Sequence, residues 1–165
     1  MKTILFAALS LLLAAGLATS ATAKSSDSTT LKSVLDQYMN IQDALARDSM
    51  ENVSANAHAL AELVRADQSG SVPGDVAEQA AKLADARHLG KARQAFKALS
   101  DSLIASLKAC PTPPASYYEF YCPTCKASWL QTSKKSMNPY LGLRAETPAW
   151  GWAGSSVVKA EFASR

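Results

Sequence analysis

The sequence predicts an all-α fold: an antiparallel up-down four-helix bundle with a small irregular C-terminal cap that has room for a short hairpin. Three observations carry that expectation. Four segments after Thr30 each bear a single apolar stripe at three- and four-residue steps. Short runs of turn residues separate them. Pro111, Pro113 and Pro114 then close the helical region, because each removes a backbone donor and fixes φ.

The N-terminus reads as an address. Lys2 precedes an apolar stretch from Ile4 to Leu17, and Ala21-Thr22-Ala23 fits a small-residue cleavage site, so residues 1–23 are expected to be a secretory signal peptide. The apolar run is shorter than the roughly 20 residues of a spanning helix, and no Cys marks a lipid anchor. The mature chain is therefore expected without a membrane span, in the periplasm, with secretion beyond it as the alternative. Residues 24–30 read as a flexible polar leader.

Residues 31–147 are expected to form one helical domain with a cysteine- and aromatic-bearing cap. Leu31, Val34, Leu35, Tyr38, Ile41, Gln42 and Leu45 mark the first helix, with Thr29 or Thr30 as its cap. Val53, Ala57, Leu60 and Val64 mark a second, beginning near Ser49 and stopped by the Ser69–Gly74 punctuation. Asp75 is placed as N-cap of a third, with Glu78 at the capping-box position and Val76, Ala80 and Leu83 inward. Ala92, Phe96, Leu99, Leu103 and Leu107 mark the fourth. In the cap, residues 116–121 and 129–132 have strand composition, and 138–142 (NPYLG) is turn chemistry. Trp129 and Tyr121 are its expected anchors. Residues 148–165 carry little periodicity and are expected to be a mobile tail.

Charge excludes more than it assigns. With 17 basic and 14 acidic residues, and Lys2 lost with the signal, the mature chain is nearly balanced, which gives no case for nucleic acid or an anionic membrane. No nucleophile–base set, phosphate-cradling glycine loop or H-E-x-x-H occurs, so no enzyme is expected.

The chemistry-bearing feature is Cys122-Pro123-Thr124-Cys125. Two thiols at this spacing bind a soft metal, close a small disulfide or cycle as a redox pair. A redox pair wants a helix N-terminus in a βαβ context, which the preceding helices do not offer. Structural zinc wants four ligands, whereas Cu(I) is satisfied by two thiolates. Cys122 and Cys125 are the candidate metal ligands, with Cys110, Met137, His58 or His88 as the candidate third. The competing reading in an oxidising compartment is a disulfide, from Cys110 to Cys122 or to Cys125.

Tyr38-x-x-Ile41-Gln42-x-Ala44-Leu45-Ala46-x-Asp48, Arg93-x-x-Phe96-x-x-Leu99-Ser100-x-x-Leu103, Tyr121-Cys122-Pro123, Trp129-Leu130-Gln131 and Asn138-Pro139-Tyr140-x-Gly142 occur in that order. Together they resemble a bacterial periplasmic family, domain of unknown function number 3347, over about residues 31–142. Its members occur alone or fused to copper/silver efflux adaptors. The resemblance implies a non-enzymatic heavy-metal protein, with Cu(I) as cargo and a metal-efflux or envelope protein as partner. It also implies structural roles for Trp129, Asn138, Pro139, Tyr140 and Gly142. The family's Met after Cys-Pro is Thr124 here, and its Met and Cys-Gly after the Asn-Pro-Tyr turn are absent, so Cys122 carries over and Cys125 is an added thiol. The alternative is an envelope interaction module with a disulfide and no metal.

Overall fold

The computed structural model describes residues 21–146 and 156–163. Four helices, α1 (Ala21–Ala46), α2 (Val53–Ala66), α3 (Asp75–Ala84) and α4 (Leu89–Ala109), precede β1 (Tyr117–Cys122) and β2 (Ala127–Gln131). A short 3-10 helix (Gly142–Glu146) and β3 (Val157–Phe162) follow. Each helix exists for the reason its sequence gives: the stripe residues Leu31, Val34, Leu35, Tyr38, Ile41, Leu45, Leu60, Leu83, Phe96, Leu99 and Leu103 are all buried. Successive helices pack on one another, α1 on α2, α2 on α3 and α3 on α4.

The all-α expectation is wrong, and the fold is mixed α/β. The hairpin expected in the cap is the first half of a three-stranded antiparallel sheet with order β2-β1-β3. Its third strand lies in the stretch expected to be a mobile tail. β3 escapes a pattern search because its side chains are exposed or half-exposed throughout, Val157 and Val158 by about half. A ladder of backbone hydrogen bonds to β1 holds it, and that leaves no apolar stripe to read. Residues 148–155 lie outside the described residues, as do residues 1–20 of the expected signal peptide.

The sheet also changes how the bundle closes. β2 packs on α4 and on α1, while direct contact between α1 and α4 is slight. All five β2 residues are buried, and Trp129 is wholly enclosed. A column of rings runs through this seam: Tyr38 stacks on Phe96 at 4.9 Å, Phe96 meets Tyr140 at 5.9 Å, Tyr140 meets Trp129 edge-on at 6.0 Å, and Trp129 stacks on Phe120 at 5.4 Å. Phe120, not Tyr121, is therefore the second anchor of the cap; Tyr121 is half-buried and lies under the Lys159 ammonium.

Three local expectations also shift. α1 starts at Ala21, so the polar residues 24–30 lie within it and neither Thr29 nor Thr30 caps it. α2 starts at Val53, after a turn in which Asp48 and Asn52 take positive φ. Gly74 occupies the N-cap of α3 without a side-chain cap, while the Asp75 carboxylate accepts from the Ser102 hydroxyl on α4 at 2.7 Å. Among the described residues no helix is long and apolar enough to cross a membrane.

Candidate functional site

Cys122 ends β1, and its antiparallel partner Ala127 begins β2, so Pro123–Lys126 form the tip of a hairpin. Lys126 N–H donates to the Pro123 carbonyl at 3.3 Å, and Lys126 adopts φ +49°. This turn brings the two sulfurs to the same side, with Sγ atoms 2.7 Å apart. Cys125 N–H donates to Cys122 Sγ at 3.2 Å. Cys122 is buried and Cys125 half-buried, and both are free. Burial pushes the Cys125 thiol up to about 12, the neighbouring Cys122 thiol adds to this, and the charges of Arg93 and Lys97 pull the other way. As folded, Cys125 holds its proton.

No group of three His, Cys, Asp or Glu arranged to hold a metal occurs among the described residues, so Cys110, His58 and His88 do not complete a set with this pair. Cys110 caps the end of α4 and donates its S–H to the Thr112 carbonyl at 3.2 Å. Like Cys122 and Cys125 it is free, so neither bridge from Cys110 is formed in this fold. His58 is exposed on α2, and His88 is the N-cap of α4, accepting from Lys91 N–H at 3.4 Å. Met137 is held by its backbone, its N–H on Gln131 Oε1 at 3.1 Å and its carbonyl on Gln42 Nε2 at 2.7 Å.

The turn at residues 138–142 is tied to β2 and to Arg93 by hydrogen bonds. Asn138 is buried, and its Oδ1 accepts from Tyr140 N–H at 2.9 Å and Leu141 N–H at 3.2 Å. The Tyr140 hydroxyl donates to the Ser128 carbonyl on β2 at 2.6 Å. The Pro139 carbonyl accepts from Arg93 Nε at 2.7 Å. Gly142 has φ +61°, and a Cβ there would collide with the Asp48 carboxylate and the Arg93 guanidinium.

Two charged centres were not assigned from sequence. Arg93 reaches Asp48 at 2.5 Å and the Leu45 carbonyl at 2.8 Å, tying the end of α1 to α4 and to the 138–142 turn. Its guanidinium holds the Asp48 carboxyl below the usual carboxylate range; burial opposes this, and Leu143 N–H adds to it. The second centre is Glu119, buried in the middle strand between Lys108 at 2.9 Å and Lys159 at 3.3 Å. Burial alone would raise its pKa, but the two ammonium groups outweigh that and keep it below the ordinary glutamate value. The legible signal for the first centre was the aspartate just after α1 together with the Asn-Pro-Tyr-x-Gly turn. The second had none.

Compared with known proteins, residues 34–113 match a family described as "Protein of unknown function (DUF3347)". The match spans most of α1 through the proline run and stops before β1, so the two-cysteine hairpin lies beyond it. No curated protein matches the chain, and no solved structure does.

Proposed function

With residues 34–113 belonging to the DUF3347 family, we propose that the chain is a non-enzymatic exported protein of heavy-metal homeostasis whose Cys122–Cys125 hairpin takes up Cu(I) as cargo. The observation that carries this reading is the turn itself: it sets two sulfurs side by side and aims the Cys125 N–H at Cys122 Sγ. Uptake would release both thiol protons, two thiols and one Cu(I) giving a bis-thiolate complex of net charge −1 and two H⁺. Arg93 and Lys97, whose charges Cys125 senses, offset that negative charge. Because a thiol must lose its proton to ligate the metal, Cu(I) affinity should rise with pH. The signal-like residues 1–23 support a periplasmic location, and a metal-efflux or envelope protein is the expected acceptor.

One observation favours a second reading, a Cys122–Cys125 disulfide in an interaction module without metal. The sulfurs, 2.7 Å apart, are closer than two thiolates on one metal ion would sit. That separation is roughly 3.8 Å at a tetrahedral angle with metal–sulfur bonds of about 2.3 Å, and larger at the wider angle of a two-coordinate ion. A disulfide, at about 2.05 Å, asks for less movement. Titration of the reduced mature protein with Cu(I) against a chromogenic chelator, beside Cys122→Ser and Cys125→Ser, separates the two. Tight one-to-one binding lost in both variants supports the metal reading. Equal weak binding by all three, with a Cys122–Cys125 bridge in protein taken unreduced from its compartment, supports the module.

A further inference from the structure

We propose that the trough between α3 and α4 is a docking site for an acidic peptide segment of a partner protein. The trough has a volume of about 490 Å³ and contains no residue of the cysteine hairpin. Lys82 from the last turn of α3, Arg87 from the connection and Lys91 from the first turn of α4 line it, and all three are exposed. None of them takes part in an ion pair among the described residues. Asp85 is the one carboxylate in the lining, so the walls carry an excess of positive charge.

The floor decides what kind of anion fits. Ala86, Ala95 and Ala98 present only methyl groups, which lets a main chain lie close between the helices. A small ligand is normally enclosed over about 70–90% of its surface, whereas this trough is open and its charged side chains stand in solvent. From Lys91 to Ala98 the groove runs about 10 Å along α4, the length of about three extended residues. A strand-like segment with carboxylates at alternate positions would lie along it. The Arg87 guanidinium would grip one carboxylate in two-point fashion, and the two ammonium groups would share the other as point charges.

The test is fluorescence anisotropy of a labelled decapeptide of alternating Glu and Ala, titrated with the mature reduced protein at low salt. Saturable binding is expected that weakens as NaCl is added. The triple variant Lys82→Gln, Arg87→Gln, Lys91→Gln should lose at least about tenfold in affinity, several lost charge contacts of the exposed kind. Asp85→Asn should tighten binding, and Lys134→Gln with Lys135→Gln, exposed lysines elsewhere, should leave it unchanged. Thermal melts check that every variant folds. Equal losses in the two lysine sets would reduce the effect to net charge and overturn the proposal. So would binding unchanged in the triple variant, or displacement of the peptide by an equal charge concentration of inorganic phosphate, which would mark a small-oxyanion site instead.

Discussion

Arg93 on α4 closes on Asp48, just past the end of α1, at 2.5 Å, and the same guanidinium holds the carbonyls of Leu45 and Pro139. One side chain thus joins the end of α1, α4 and the 138–142 turn. Arg93→Lys keeps the charge but not the fork, and should cost about 2 kcal/mol, with Arg93→Ala costing more. Urea unfolding midpoints at pH 7 measure this directly, and a change below the error of the fit would mean that the fork carries no stability.

The same pair sets an acid dependence. The Asp48 pKa is lowered in the folded state, so its contribution is complete above the unfolded aspartate value and is lost as pH falls through the folded one. Stability of the native protein should therefore decline from about pH 4 downward. Asp48→Asn should be less stable at pH 7 and flatter over that acid range, measured by urea midpoints between pH 2 and pH 7.

Glu119 should respond asymmetrically to the loss of its partners. Lys108 and Lys159 are about half exposed, so Glu119→Gln frees two ammonium groups into water and should cost less than about 1 kcal/mol. Lys108→Met with Lys159→Met instead leaves a buried carboxylate uncompensated, at a cost of about 3 kcal/mol at pH 7. In that double variant burial alone acts and the folded pKa of Glu119 rises. Its stability should then be greatest below the unfolded glutamate value and fall as pH climbs through the folded one, opposite in slope to the native protein.

Tyr38 and Gly142 test the packing on either side of the site. The Tyr38 hydroxyl accepts from Leu130 N–H on β2 at 3.1 Å and lies 2.8 Å from Ser100 Oγ. Tyr38→Phe strands a buried N–H for about 1–3 kcal/mol. Gly142→Ala meets both a positive φ and the Asp48–Arg93 pair, and should cost about 2–4 kcal/mol. Thermal denaturation followed by circular dichroism ranks the two, and a neutral Gly142→Ala would contradict the geometry.

What was legible in the sequence follows from how each part is held. The helices announce themselves because each buries one stripe, so spacing alone recovers Leu60, Leu83 or Leu99 as core. The cysteine turn was legible as a pair, and residues 138–142 as turn chemistry. β3 was hidden, since Val157 and Val158 face solvent and the strand depends on a partner far back in the chain. The expectation of Tyr121 as an anchor failed for a related reason. The β1–β3 register shifts between Glu119 and Phe120, and both of those residues are buried, so a two-residue alternation read along β1 puts the wrong ring inside. The Arg93–Asp48 contact joins residues on separate elements with no local pattern between them.

The central position of β1 also dictates an order of assembly. Its edge toward β2 closes across a tight turn, a local event on the microsecond scale. Its edge toward β3 can close only after the chain has passed through the turn at 138–142 and a long connection. During synthesis, Tyr117–Cys122 is therefore an open template whose proper mate has yet to arrive. Pairing with Val157–Phe162 ends that exposure, and Lys159, at the register shift between them, completes the Glu119 ion pair. Chains halted before Val157 should be the ones that associate edge to edge.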